Sequence, residues 1–429
     1  MEVNEDFKSY KKVLLFGSEG AGKSTLAKRL QTGEFEENIP QKVDGKSLLD
    51  INLKGDKKLY INLYEIRLEE KIMYNSTILD AFLFDCHCAL FLVDSTKEKV
   101  KFDSIKTIVS YIKDRNTYSD LKMIIVENKM DMNKPSNEII IDFIKNNPDI
   151  DQISISIKNG NNIEQLLLKI YNELNSKEKK IIPIDQVLKN NYNKKTKEKL
   201  ENEVKSSFSI ILLGESGVGK TNLMTRYVND SYNQIFLSTI GVNSEMKFLN
   251  IDGSINVLTL WDTAGQERFK SLPKKYYRTA NGVLLLFDIN DRKSFNEVNE
   301  WMKQIKEYTA ESDAKENNEN NNENNNENKE NDVVIYLLGN KIDMMQDYEG
   351  AVTRKEIDDL VDNLHIKYYD ICCKWNLNIE EIIARISLDI FNKKIPRNKT
   401  IKLSKAKNDN SVNNKKGCCS GQKEPKEKK

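Results

Sequence analysis

The sequence predicts two α/β domains in tandem, each a mostly parallel sheet of six strands with helices on both faces. Three observations carry that prediction. At 429 residues the chain is too long for one ordinary domain and fits two of about 170 to 200 residues, each large enough to bury its own core. An apolar strand running into a glycine-rich loop occurs twice, about 200 residues apart. After each copy, short apolar runs alternate with amphipathic helical sequence, the pattern of parallel strands covered on both faces.

The copies read Val13-Leu-Leu-Phe-Gly-Ser-Glu-Gly-Ala-Gly-Lys-Ser24 and Ile210-Ile-Leu-Leu-Gly-Glu-Ser-Gly-Val-Gly-Lys-Thr221. Helix-like sequence follows each, over Thr25 to Leu30 and Asn222 to Val228. Ala89 to Val93 and Met123 to Val126 are unbroken apolar runs in the first copy, as are Val283 to Phe287 and Val333 to Leu338 in the second. The final helices start near Ile163 and Ile379. These elements give domains over residues 1–175 and 207–392. Residues 176–206, rich in Lys, Glu and Asn, form a linker, with Ile181 to Leu188 as their main apolar stretch. Residues 313–331, almost wholly polar, cannot bury enough apolar surface to offset their ordering entropy and read as a disordered insertion.

Charged residues make up 31% of the chain, but 67 Lys+Arg against 66 Asp+Glu leave no global field that favours nucleic acid. The charge is local instead. From Asn392 onward the basic tail, 393–429 in the main, carries 13 Lys/Arg and 3 Asp/Glu, an excess of ten against a whole-chain net of +1. The polar N-terminus and the lack of any 18-residue apolar stretch exclude a signal peptide and a spanning helix. Six cysteines fall in three close pairs, not as a disulfide framework, which favours a reducing, cytoplasmic compartment. The pair Cys86 and Cys88, opening a buried strand, reads as core thiols rather than metal ligands.

Gly214, Glu215, Ser216, Gly217, Val218, Gly219, Lys220 and Thr221 match the G-x-x-x-x-G-K-[ST] phosphate loop. In that loop backbone N–H groups at a helix N-terminus turn toward phosphate oxygens. Lys220 reaches the β- and γ-phosphates and the Thr221 hydroxyl ligates Mg²⁺. Gly339-Asn-Lys-Ile-Asp343, after an apolar strand, narrows the ligand to guanine: a carboxylate accepts from both N1–H and the 2-amino group, a donor pair adenine lacks. Asp343 is the base reader, Asn340 ties its loop to the phosphate loop, and the stem of Lys341 lies along the base.

These residues resemble the Rab family of Ras-like GTPases over roughly Ser206 to Asn392. Ser238-Thr-Ile-Gly-Val242, Leu260-Trp-Asp-Thr-Ala-Gly-Gln-Glu-Arg-Phe269, Lys275-Tyr-Tyr-Arg-Thr-Ala280 and Phe287-Asp-Ile-Asn-Asp-Arg-Lys-Ser-Phe295 are similar to that family's signature segments. The resemblance implies that Thr239 closes on Mg²⁺ and the γ-phosphate, Asp262 holds Mg²⁺ through water, and Gly265 donates its N–H to the γ-phosphate. Gln266 then orients the attacking water, and Tyr232 stacks on guanine. Cys372-Cys373-Lys374 stands where the family has Ser-Ala-Lys, its backbone N–H reading the guanine O6.

The first copy keeps the grip. Gly17, Gly20, Gly22, Lys23 and Ser24, the last a Mg²⁺ ligand, form its phosphate loop. Asn128, Lys129 and Asp131 form its base loop, Ile157 and Lys158 follow Ser156 in its Ser-Ala-Lys equivalent, and Phe35 takes the stacking place. Its sensor is lost: Glu65 replaces the aspartate, Leu68 the glycine and Glu69 the glutamine. No threonine occurs between Gly33 and Ser76. Lys42 falls near the switch position, and Ser47 is the only hydroxyl candidate. This copy reads as a degenerate GTPase domain that binds nucleotide but scarcely distinguishes GTP from GDP, with an empty structural domain as the alternative.

The resemblance implies slow GTP hydrolysis as a switch in vesicle traffic, with an exchange factor, an activating protein and effectors as partners. A nucleotide-binding scaffold with little hydrolysis is the alternative. It also implies peripheral attachment to endomembranes: Gly417-Cys-Cys-Ser420 resembles a prenylated ending at Cys418 and Cys419, although ten residues follow Cys419. Palmitoylation is the other lipid option. The basic tail adds about 1 kcal/mol per Lys or Arg near an anionic leaflet.

Overall fold

The computed structural model describes residues 10–37, 39, 45–54, 57–68, 75–96, 102–118, 120–132, 138–174, 181–183, 204–234, 242–251, 254–263, 274–316, 333–345 and 352–394. The switch residues Thr239, Gly265 and Gln266 lie outside them, as do Lys42, Glu69 and the tail cysteines.

In the first domain β1 (Lys11–Gly17), β4 (Cys88–Asp94) and β5 (Lys122–Asn128) form the middle of a six-stranded sheet of order β2-β3-β1-β4-β5-β6. Their runs of Val, Leu, Ile and Phe are buried almost end to end because helices cover both faces. β2 (Lys46–Asn52) pairs antiparallel with β3 (Lys58–Arg67), and every other pairing, including that of β6 (Asp151–Ser154), is parallel. Helices α1 (Lys23–Thr32), α2 (Ser76–Leu83), α3 (Phe102–Lys113), α4 (Glu138–Lys145) and α5 (Ile163–Leu174) complete the fold.

The linker contributes β7 (Ile181–Pro183), which pairs antiparallel with β9 of the second sheet. The expected linker therefore holds a short strand that adds a seventh member at the sheet edge. The second domain's own six strands are β8 (Ser206–Leu213), β9 (Val242–Ile251), β10 (Ser254–Thr263), β11 (Gly282–Asp288), β12 (Val334–Asn340) and β13 (Lys367–Asp370), in the order β13-β12-β11-β8-β10-β9. Its helices are α6 (Lys220–Asn229), α7 (Lys274–Thr279), α8 (Arg292–Asn296), α9 (Val298–Glu316), α10 (Arg354–Leu364) and α11 (Ile379–Lys394). The insertion expected from 313 starts in α9, which continues to Glu316 on good helix formers such as Ala314, Lys315 and Glu316. Residues 317–332 lie outside the described set.

One buried apolar layer is made by each domain's own residues, Leu15, Leu26 and Leu166 in the first and Leu212, Leu223 and Ile386 in the second, the latter touched by Phe84 of the first domain. The other layer is shared, with Phe16, Tyr64 and Phe82 in the same cluster as Ile211, Tyr277 and Leu377. The two folds therefore pack against each other. The phosphate loop and base loop leave the carboxyl ends of β1 and β5 in the first sheet and of β8 and β12 in the second, on either side of β4 and β11, where an open α/β sheet forms its ligand crevice.

Candidate guanine nucleotide sites

Gly219 enters α6 at φ 103 and Gly22 enters α1 at φ 100, a left-handed conformation that L side chains rarely adopt. A Cβ on Gly219 would lie 2.3 Å from Asn340 Nδ2, and one on Gly22 2.8 Å from Asn128 Nδ2. Neither helix has a side-chain cap, so its first N–H groups are presented to an anion. Lys220 Nζ donates to the Gly214 and Glu215 carbonyls, each at 2.7 Å. Lys23 repeats this on Gly17 and Ser18, at 2.8 and 3.0 Å. Burial pulls the Lys220 ammonium down to about 8, against the pull of Asp262 and Glu215; a phosphate in the loop would favour the charged form further.

The base loops are equally parallel. Asn340 Nδ2 donates to the Val218 carbonyl at 2.8 Å, and Asn128 Nδ2 to that of Ala21 at 3.0 Å, tying base loop to phosphate loop. Asn340 Oδ1 accepts from Cys373 N–H, and Asn128 Oδ1 from Ile157 N–H. Asp343 accepts from the Cys372 thiol at 3.2 Å where Asp131 accepts from the Ser156 hydroxyl at 2.7 Å. Lys374 pairs with Asp343 at 3.3 Å, and Lys158 occupies the matching place after Ile157. The Tyr232 ring lies with its centroid 5.5 Å from the Arg226 guanidinium, and burial followed by the charges of Asp343 and Cys373 raises its hydroxyl. Tyr232 and Phe35 are both 37% exposed, each an aromatic face open to solvent.

Two matched pairs of residues, and Trp301, are additional to those the sequence indicates. Arg226 on α6 donates to the carbonyls of Cys373 and Lys374 at 2.7 and 2.9 Å, and Arg29 on α1 donates to that of Lys158 at 3.2 Å. Asp288 and Asp94, ending β11 and β4, pair with Lys341 and Lys129 at 2.8 and 2.6 Å. An arginine six residues after each phosphate-loop lysine and an aspartate closing each apolar run were the signals available. Trp301 Nε1 also donates to Glu215 at 3.3 Å, fixing the loop from α9.

The sites diverge at the sensor. Asp262 pairs in register with Leu212 and Glu65 with Leu15, so the two carboxylates share one place in the sheet. Thr221 Oγ1 donates to Asp262 at 2.7 Å, and Ser24 Oγ donates to Glu65 at 2.6 Å. Each pair brings a hydroxyl and a carboxylate together, a donor set suited to Mg²⁺. Beyond it the first domain closes. Leu68 stands 7% exposed in the core, and its N–H donates to the Gly17 carbonyl at 3.3 Å. That N–H is thereby committed to the phosphate loop itself. Ser47 is also displaced from the expected role: it lies inside β2 opposite Leu63, the place Glu245 takes opposite Leu260. Strand register sets Ser47 six residues beyond the place of Thr239, so it is no switch hydroxyl.

Cys86 and Cys88 are packed rather than reactive. Burial pushes the Cys86 thiol up to about 12, and its Sγ contacts the Cys88 carbonyl at 3.3 Å. Among the described residues no helix is long and apolar enough to cross a membrane.

Two crevices, each with a phosphate loop tied to an N-K-x-D loop, define a tandem guanine nucleotide-binding α/β protein. A profile of the Ras family matches residues 12–179 and again 209–392, and the chain belongs to that family. It is 34% identical over 212 residues to Ras-related protein Rab-13 of Rattus norvegicus, covering 47% of this chain and 94% of that one. Identity to Ras-related protein RABE1e of Arabidopsis thaliana is 33% over 221 residues, 49% and 91% of the two chains. Rab-13 of Bos taurus is 36% identical over 186 residues, 43% and 81%. The protein is thus a small GTPase of Rab-like type in tandem form. GTP and GDP are its ligands, and regulators and effectors are its general class of partner.

Proposed function

We propose that the second domain is the working switch of vesicle traffic and that the first holds a guanine nucleotide without switching. The observation that carries this reading is the contrast beyond the shared hydroxyl–carboxylate pair: in the first domain Leu68 is buried and its N–H is spent on the Gly17 carbonyl, where the second domain's sequence has Gly265. In the mechanism, the backbone of Glu215 to Gly219 and the Lys220 ammonium bind the phosphates. Thr221, Thr239 and Asp262 would hold Mg²⁺, which would supply positive charge against that developing on the phosphates. Gly265 N–H and Thr239 sense the γ-phosphate, and Gln266 orients the attacking water. Asp343 accepts from guanine N1–H and the 2-amino group, while Cys373 N–H, held weakly by Asn340 Oδ1 at 3.3 Å, is shared with or released to O6.

The basic tail and lipid at Cys418 or Cys419 would keep the protein at endomembranes, in line with the charge excess of the sequence. In single-turnover assays on the full chain, Gln266→Leu leaves GTP bound and slows hydrolysis by about 10²-fold, the scale of losing one group that acts in the transition state. An unchanged rate removes Gln266 from this role.

A further inference from the structure

The guanine-side loop of the second domain, 372–378, is gripped from two directions. From its own domain, Arg226 holds the Cys373 and Lys374 carbonyls. From the first domain, the Phe82 ring of α2 stacks on Trp375 with centroids 5.7 Å apart and planes at 25°. The buried Tyr64 hydroxyl of β3 donates to the Asn376 carbonyl at 2.9 Å, and Lys12 Nζ of β1 donates to Asn378 Oδ1 at 2.7 Å. Asn378 in turn donates to the Ala81 carbonyl of the first domain and the Asp370 carbonyl of its own, at 2.8 and 2.9 Å.

We propose that Phe82 and Tyr64 of the first domain are positioning residues for guanine binding by the second, holding the loop that presents Cys373 N–H and Lys374 and so slowing nucleotide release. The inference rests on the guanine reading of the second site. Three features link the grip to the base. First, Cys372 and Leu377 exchange backbone hydrogen bonds at 3.2 and 3.0 Å, closing the loop so that movement of Trp375 and Asn376 carries Cys373 with it. Second, Asn376 and Asn378 sit at φ 49 and 63, a region costly for residues other than glycine unless surroundings impose it.

Third, the loop supports itself less well than its counterpart. In the first domain the Ser156 hydroxyl accepts from Asn159 N–H at 3.1 Å and donates to Asp131 at 2.7 Å. In the second, Cys372 sulfur does both jobs, at 3.4 Å from Trp375 N and 3.2 Å from Asp343. Sulfur is a weak acceptor and thiol a weak donor, and the docked first domain supplies what the cysteine does not.

The test uses the full chain carrying Asp131→Asn, which turns the first site away from guanine so that mant-GDP reports the second. Release is timed after a chase of unlabelled GDP. Phe82→Ala is expected to speed release about tenfold, 1.4 kcal/mol, and Tyr64→Phe about threefold, the scale of one neutral hydrogen bond. Phe82→Tyr, which keeps the stack, stays within about twofold of the background. Acceleration of release by EDTA, which reads the Mg²⁺ side, keeps its factor in every variant. Cys372→Ser, which restores the stronger hydrogen bonds, shrinks the Phe82→Ala effect below about threefold.

Release within about twofold of the background in both Phe82→Ala and Tyr64→Phe overturns the positioning role. A full Phe82→Ala effect persisting with Cys372→Ser overturns it as well, because the loss is then general loosening. Should Phe82→Ala fail to fold, Tyr64→Phe, which removes one oxygen, decides. Failure of the Asp131→Asn background itself to bind mant-GDP would overturn the guanine reading of the second site, and this inference with it.

Discussion

At the end of β3 the Ser24 hydroxyl meets the carboxylate of Glu65, and at the end of β10 the Thr221 hydroxyl meets that of Asp262, with nearly the same distance and the same strand register. Three residues on, the domains part. The first has Leu68, its side chain in the core and its N–H on Gly17; the second has Gly265, with no side chain to place and an N–H that the proposed function gives to the γ-phosphate. On the proposed reading, grip and trigger are separable parts of this fold. The phosphate and base loops are anchored in buried strands and keep their geometry through Asp→Glu and Ser→Cys exchanges. Sensing needs a backbone N–H left uncommitted, which one buried leucine removes. Moreover, α2, which follows the sensor segment in the chain, packs in the first domain against Trp375 and Asn378 of the second. A surface serving as a fixed contact has little freedom to move.

The largest contrast is expected from the phosphate-loop lysines. Lys220→Ala should weaken GTP binding at the second site by about 10²-fold or more, because it removes a buried charge partner of phosphate, and should abolish turnover of the chain. Lys23→Ala should empty the first site and leave turnover standing. Nucleotide content after denaturation, with single-turnover rates, checks both; loss of turnover with Lys23→Ala would break the division of labour.

Base reading should fail symmetrically. Asp131→Asn and Asp343→Asn should each cost its own site about a hundredfold in GDP affinity and favour xanthine nucleotides, whose 2-oxo group needs a donor. Calorimetry with GDP and XDP measures this, and a site that accepts ATP as readily as GTP has been misassigned. The first site should also bind GTP and GDP within roughly tenfold, about 1.4 kcal/mol, because a ligand shifts an equilibrium only by its differential affinity. Equilibrium titration in the Asp343→Asn background measures that ratio, and a much larger preference for GTP would restore a sensor to the first domain.

The smallest expected effect concerns the domain boundary. Asp370 accepts from Arg354 at 2.8 Å and from the Tyr368 hydroxyl, with Asp358 and Asp80 nearby. Burial outweighs the arginine and pushes its carboxyl from 3.8 up to about 6. The folded chain then holds this proton more tightly than the unfolded chain. Its contribution to stability is complete below pH about 4 and is lost as pH rises through about 6. Melting profiles from pH 4 to 7 should show a fall of a few degrees that Asp370→Asn lacks; identical profiles would place the Asp370 carboxyl in the ordinary range.

Both folds were legible in the sequence because their central strands are unbroken apolar runs and their ligand loops carry fixed spacings. Even the equivalence of Glu65 with Asp262 followed from aligning the repeats. The contact between domains was not legible: Tyr64 and Phe82 look like any inward-facing aromatics, and a hydrogen bond spanning 312 residues leaves no local pattern. Strand β7 was missed because three residues are too few for a period, and only its pairing with β9 makes it a strand. The commitment of the Leu68 N–H is likewise a tertiary fact, although the leucine itself warned of it.

Hydrogen exchange on the full chain, compared between GDP and a non-hydrolysable GTP analogue, separates a switching domain from a fixed one. GTP-specific protection is expected across residues 234–275 of the second domain and none across 41–75 of the first. Strong GTP-specific protection of 41–75 would show that Glu65 and its surroundings have rebuilt a working switch, and would contradict the separation of grip from trigger.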